Sequence, residues 1–188
     1  MHAQHGAIDR PGYPQVVRVL HWIMACLVAL QFGLIVIRAT FQGEVPAVTS
    51  WAMTLHIHGG AMLFVATGLR LALHLRHPTR PVPGLTQAQM RVARMSHRAL
   101  YAGLLLMPIA RYTTLASLGN SVDLFGFISL PELPFSIALA RAAQHLRTAL
   151  AIALLAVIAL HFTAALLHRR LFGAAVLHRM RPGRDQGS

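Results

Sequence analysis

The chain contains no lysine: all 17 basic residues among its 188 are arginine. Carboxylates are scarce, with only five, and the single cysteine, Cys26, excludes an intrachain disulfide. Charged residues make up 12% of the chain, against about a quarter in an ordinary soluble domain. There is no GxGxxG fingerprint, and the segments between apolar runs are too short to form a flavin or nicotinamide domain. No internal repeat or low-complexity tract is present. These absences exclude a soluble enzyme, a disulfide-framed domain and a nucleotide-cofactor dehydrogenase.

What the chain has is apolar length, with 55% hydrophobic residues. Val19 to Ile37 is uncharged, and Trp51 to Leu69 is interrupted only by two histidines. Ala99 to Ala110 continues past Arg111 to about Leu118, and Thr148 to Leu167 contains His161. Each run approaches the roughly 20 residues that cross a bilayer as a helix, the form an isolated apolar segment must take where no water satisfies the backbone. The expected fold is all-α: an integral membrane four-helix bundle formed by one domain, residues 1–188. Spans are expected at about 18–39, 51–75, 96–117 and 143–170, with tails at 1–17 and 171–188. The first run is longer than a signal-peptide core and lacks a small-residue cleavage site, so it reads as retained. The two prolines of FGFISLPELP (125–134) should hold the third connection non-helical until about Phe135.

The formal charge of +12 does not point to nucleic acid, because of where it lies. Arg10 and Arg18 precede the first span, five arginines from Arg76 to Arg98 surround the second connection, and five follow the last span. Arg38, Arg111, Arg141 and Arg147 are assigned to the other two connections, with Glu44, Asp123 and Glu132. The positive-inside rule then places both termini and the 74–98 connection in the cytoplasm. The basic surface suits anionic lipid head groups of the bilayer.

Twelve histidines are distributed by depth. His74, His77 and His178 read as solvated residues at the cytoplasmic surface. His21, His56, His58 and His161 interrupt apolar runs, and ionisable groups inside a membrane are functional candidates because burial without a partner is costly. His21 and His161 fall at similar depth near the inner ends of the first and last spans. His56 and His145 fall near the outer ends of the second and fourth. Two histidines per level at two levels suggest two stacked bis-imidazole sites. Zinc would want four ligands, and every acid lies outside the spans. Haem iron needs only two axial ligands, its ring packs among apolar side chains, and Arg70 suits a propionate.

These residues occur in matching stretches: LHW at 20–22, His56 followed by GLRLALHLRHPTRP at 68–81, HRALY at 97–101 leading to MP at 107–108, FGFISLP at 125–131, and ALHFTAALLHRRLF at 159–172 closing with HRMRP. In order and spacing they resemble the bacterial cytochrome b-561 family of four-helix membrane dihaem proteins. The resemblance implies axial ligands at His21 and His161 for an inner haem b and at His56 for an outer one. It also implies a second outer ligand 14 residues before His161, since 14 residues rise about 21 Å and return to within about 40° of the same face.

Here the chain departs from the pattern: that position is Arg147, which cannot ligate iron. The nearest histidine, His145, lies about 160° round a continuous helix from His161. Three outcomes are open: an irregular helix start brings His145 round as the second ligand, the outer haem is held by His56 alone, or only one haem is present. Two haems with His145 as ligand is the expectation, and an open outer iron beside Arg147 would favour an anionic reductant. His58 reads as structural, hydrogen-bonded towards helix 1 or 3. His97 and His168, near the inner level, meet either a propionate, a quinone head group or interfacial solvent.

The resemblance implies a bacterial inner-membrane electron carrier exchanging electrons with the ubiquinone pool, in a family linked to superoxide oxidation. The donor is a small reductant or a peripheral protein, and a homodimer is compatible with a bundle this small. Two other classes stay open. One is a haem-bearing anchor subunit of a larger respiratory oxidoreductase, and the other is a haem-free transporter using histidines for protons or metal.

Overall fold

In the computed structural model, the described residues are 15–76 and 86–172, with side chains described to Leu167. The tails at 1–14 and 173–188 and the turn-rich segment 77–85 lie outside them, and with them His77, His178 and most of the two expected tails. Four long helices dominate: α1 (Gln15–Thr40), α2 (Pro46–Arg76), α3 (Gln87–Ala116) and α4 (Ile137–Phe172). All four are long and apolar enough to cross a membrane.

Each helix outruns its apolar window because a helix can continue into the aqueous boundary once its first turn is capped. α3 begins nine residues before the expected span. Thr86 accepts from the Gln89 backbone N–H, and the Gln89 side chain accepts from that of Thr86, a reciprocal capping box. α4 starts where Ser136 Oγ accepts from Leu139 N–H at 3.2 Å, just after the proline-containing segment. α2 opens with Pro46, whose missing N–H costs nothing at a first helical position. In consequence Arg141, which lay outside every expected span, sits within a helix, as do Arg38, Arg111 and Arg147.

Helices α1–α2, α2–α3 and α3–α4 pack as consecutive neighbours. Small residues set the close approaches. A Cβ on Gly103 would stand 3.0 Å from Leu154 Cδ1 across the α3–α4 contact. The side-chain amide of Gln31 occupies the space a Cβ would need at Gly59, between α1 and α2. By contrast, no Cα of α1 comes within 8 Å of one in α4 among the described residues. The bundle therefore has an open seam between its first and last helices.

Large apolar residues point outwards: Val65 and Ile152 are each 68% exposed, a surface that belongs against lipid. Two buried threonines are satisfied within their own helices: Thr67 Oγ1 donates to Leu63 O at 2.6 Å and Thr114 Oγ1 to Ala110 O at 2.8 Å. One addition to the all-helical expectation is a small hairpin in the third connection. Strands β1 (Val122–Leu124) and β2 (Ile128–Leu130) pair antiparallel, with Asp123 opposite Ser129. The turn needs positive φ at Phe125 (57°) and Gly126 (77°), and Ser129 Oγ donates to Asp123 Oδ1 at 2.7 Å. The Tyr112 hydroxyl donates to the Pro131 carbonyl, tying this connection to α3.

Candidate functional site: two polar levels in an apolar bundle

One level lies where α1 begins and α2 ends, the inner end of the sequence expectation. The Arg70 guanidinium crosses from α2 to α1 and donates from Nη1 to Val17 O at 2.8 Å. Val17 lies one helical turn before His21, so this bond holds the guanidinium beside the histidine's turn. His21 lies within electrostatic range of Arg70, His161 and His97, which brings together side chains from all four helices. The His97 and His161 rings are 5.3 Å apart, tilted by 57°. His74, expected only to be solvated, stacks on Tyr101 at 6.3 Å and couples electrostatically to His97. The HRALY motif gave the signal for that contact: Tyr101 is one turn beyond His97 and shares its face. His168 belongs to α4, but its side chain lies outside the described residues.

The second level is at the opposite ends of the same helices. His56 is half-buried on α2, faces the backbone of Gln31, and feels the charges of Arg147, Arg111 and Arg38. Its Nδ1 is buried without a hydrogen-bond partner, as are both amide atoms of Gln31. Arg147 is half-buried and its Nε donates to Gln144 Oε1 at 3.3 Å. His145 is not drawn into this group. It is exposed and lines a shallow groove with Thr114, Leu118 and Arg141, because two residues along a helix rotate a side chain by about 200°. Among the described residues His58 makes no hydrogen bond to helix 1 or helix 3, and its Nδ1 is buried without a partner. Its ring stacks on Phe125 of the hairpin at 5.1 Å, a contact no helical periodicity could reveal.

The inner level fits a haem. His21 and His161 come from two helices whose backbones stand apart, so a planar group between them would not have to replace a close helix contact. No carboxylate lies in any of the four helices, and among the described residues no group of three or more His, Cys, Asp or Glu is placed to hold a metal ion unaided. Two imidazoles suffice only where a porphyrin supplies the other four donors. Arg70, cationic and beside both histidines, is the group a propionate would meet. The outer level offers His56 and space at Gly60, where a Cβ would meet nothing within 4 Å.

The comparison with known proteins agrees with that chemistry. The family model described as prokaryotic cytochrome b561 matches residues 12–183. A protein of Yersinia pestis named probable superoxide oxidase CybB is 30% identical over 167 residues, covering 87% of this chain and 92% of the relative. Four membrane-length helices and this match make the chain a multi-pass protein of the bacterial inner membrane that transfers electrons through haem b. Histidines paired across helices, an arginine between them, and a match over almost the whole chain lead to one assignment: the chain belongs to the prokaryotic cytochrome b561 family.

Proposed function

We propose that the chain takes single electrons from a small anionic reductant at its outer end and delivers them to quinone at its inner, cytoplasmic end. The observation that carries this reading is the His21–His161 pair, set on two helices with no Cα pair within 8 Å among the described residues yet within electrostatic range of each other. Bound haem b supplies reversible one-electron chemistry at each level. His21 and His161 would hold the inner group, and Arg70 would neutralise a propionate. His56 holds the outer group.

At the inner end His97, with His168 seven residues beyond His161, is the proposed quinone-facing group, able to donate a hydrogen bond to a carbonyl oxygen. At the outer end Arg38, Arg111 and Arg147 make a field that concentrates an anion. Superoxide suits that field, and it is the substrate in the Yersinia pestis relative's name. The sum balances as two superoxide ions, one quinone and two protons giving two dioxygen molecules and one quinol. The protons enter from the aqueous side at the inner end.

The test uses purified protein in liposomes containing ubiquinone. A superoxide pulse should reduce the haem within the mixing time of a stopped-flow instrument and yield quinol at half the superoxide consumed. His21→Ala and His161→Ala should each abolish quinol formation. Quinol formation that persists in both variants sinks the reading.

A further inference from the structure

We infer that the outer level is an iron site with one protein ligand, His56, whose free face takes a small anion held by the guanidinium groups of Arg38, Arg111 and Arg147. This rests on the outer haem proposed above. Arg147 stands 14 residues before His161, so helix geometry turns it to the interior face. The structure places it there: it is half-buried and couples to His56, while His145 is exposed on the α3–α4 groove. An arginine cannot ligate iron, so the position that would complete a second bis-imidazole centre carries a fixed positive charge instead.

The three guanidiniums come from α1, α3 and α4 and lie within electrostatic range of a histidine of α2, Arg111 and Arg147 half-buried and Arg38 exposed. Arg111 feels both Arg147 and Arg38. No helix contributes a carboxylate, and among the described residues the side chains of Arg38 and Arg111 make no hydrogen bond or ion pair. Gln144 takes only the Nε proton of Arg147, which leaves its two Nη groups for another acceptor. Like charges at the edge of a low-dielectric bundle repel one another, most strongly for the half-buried Arg111 and Arg147, and an anion among them would relieve that repulsion. A free monoanion and the haem's own propionates share the required chemistry, and the experiment separates the two sources.

The experiment is an azide titration of the purified ferric holoprotein, read by the Soret band and by electron paramagnetic resonance, with haem counted per chain. Wild type should carry one low-spin and one high-spin haem, and azide should convert the high-spin signal to low-spin. Arg147→His should make both haems low-spin without azide and remove the azide response. The double change Arg38→Gln and Arg111→Gln should weaken azide by at least about tenfold, while leaving the affinity for neutral imidazole unchanged.

Two low-spin haems and no azide response in wild type would overturn the inference. So would one haem per chain. Loss of haem from the double variant with unchanged azide affinity in the haem that remains would assign the guanidiniums to propionates and overturn the free-anion site. In each of these results a low-spin inner haem that depends on His21 and His161 leaves the electron-carrier reading standing. A preparation without haem would sink both.

Discussion

The two ends of this bundle use one helical register to different effect. At the inner end, residues separated by whole turns present imidazoles from α1, α3 and α4, with one guanidinium from α2 bonded to the α1 backbone at 2.8 Å. At the outer end the proportions invert: one imidazole from α2 faces guanidiniums from the other three helices. The backbone is equally regular at both levels, so the difference lies in side-chain chemistry alone. A helix fixes which positions face the interior, and the residue at each position decides whether that level is richer in imidazole or in fixed positive charge.

The largest effects should come from breaking the inner level. His161→Ala and His21→Ala should each remove the low-spin spectrum of the inner haem, and pyridine haemochrome analysis should show at least one haem fewer per chain. His56→Ala should leave that signal in place and remove only the outer contribution. Equal spectra in His56→Ala and His161→Ala would show that the two levels are not separate centres.

A smaller effect tests the role of Arg70. Arg70→Gln keeps a polar side chain on α2 but removes the charge that His21 and His161 both feel. Loss of a positive charge beside a haem makes the reduced state less favourable. The inner midpoint potential should fall by roughly 50 mV, the scale of one charge acting through a partly polar medium. Redox titration in detergent at fixed pH measures it. A potential that does not move would mean that the guanidinium serves only to join α2 to α1.

Helix packing should respond on a comparable energetic scale. Gly103→Leu forces atoms into a contact where even a Cβ would stand 3.0 Å from Leu154 Cδ1. Overpacking of this kind typically costs about 1–3 kcal/mol, and thermal denaturation in detergent should show a lower midpoint. The same change at Gly68, where a Cβ meets nothing within 4 Å, should be tolerated.

Much of this was legible in the sequence because the signals are periodic. Apolar windows marked four helices, and the depth of each histidine followed from counting turns. His21, Arg70 and His161 could be associated before any coordinates because each lies towards the same end of an antiparallel run of apolar windows. The capping box at Thr86 was also written in the chain as TQAQ, but an apolar-window search passes over it because Arg91, Arg94 and Arg98 follow. The hairpin was less legible: three-residue strands give too few alternations to register, and Phe125 is an unusual residue for positive φ. The meeting of His58 with Phe125, 67 residues away, depends on how a connection folds back over the bundle. The fate of His145 turned on whether α4 runs unbroken from Ile137, which prolines upstream left undecided and Ser136 settles as the cap.

The smallest expected effect concerns Phe125, and it sharpens the contrast between the ends because it tests the hairpin ring stacked on His58 near the outer level. A non-glycine residue at φ 57° costs about 1–3 kcal/mol. The stack on His58 offsets about 0.5–1.5 kcal/mol of that. Phe125→Gly removes both terms and should leave the thermal midpoint nearly unchanged. Phe125→Leu keeps the backbone strain while losing the ring, and should be the less stable of the two. Both variants uncover His58, so azide should reach the outer level faster in each while the inner potential stays fixed. Equal destabilisation by the two substitutions would mean that the hairpin turn stores no strain and that the aromatic ring alone holds it over the bundle.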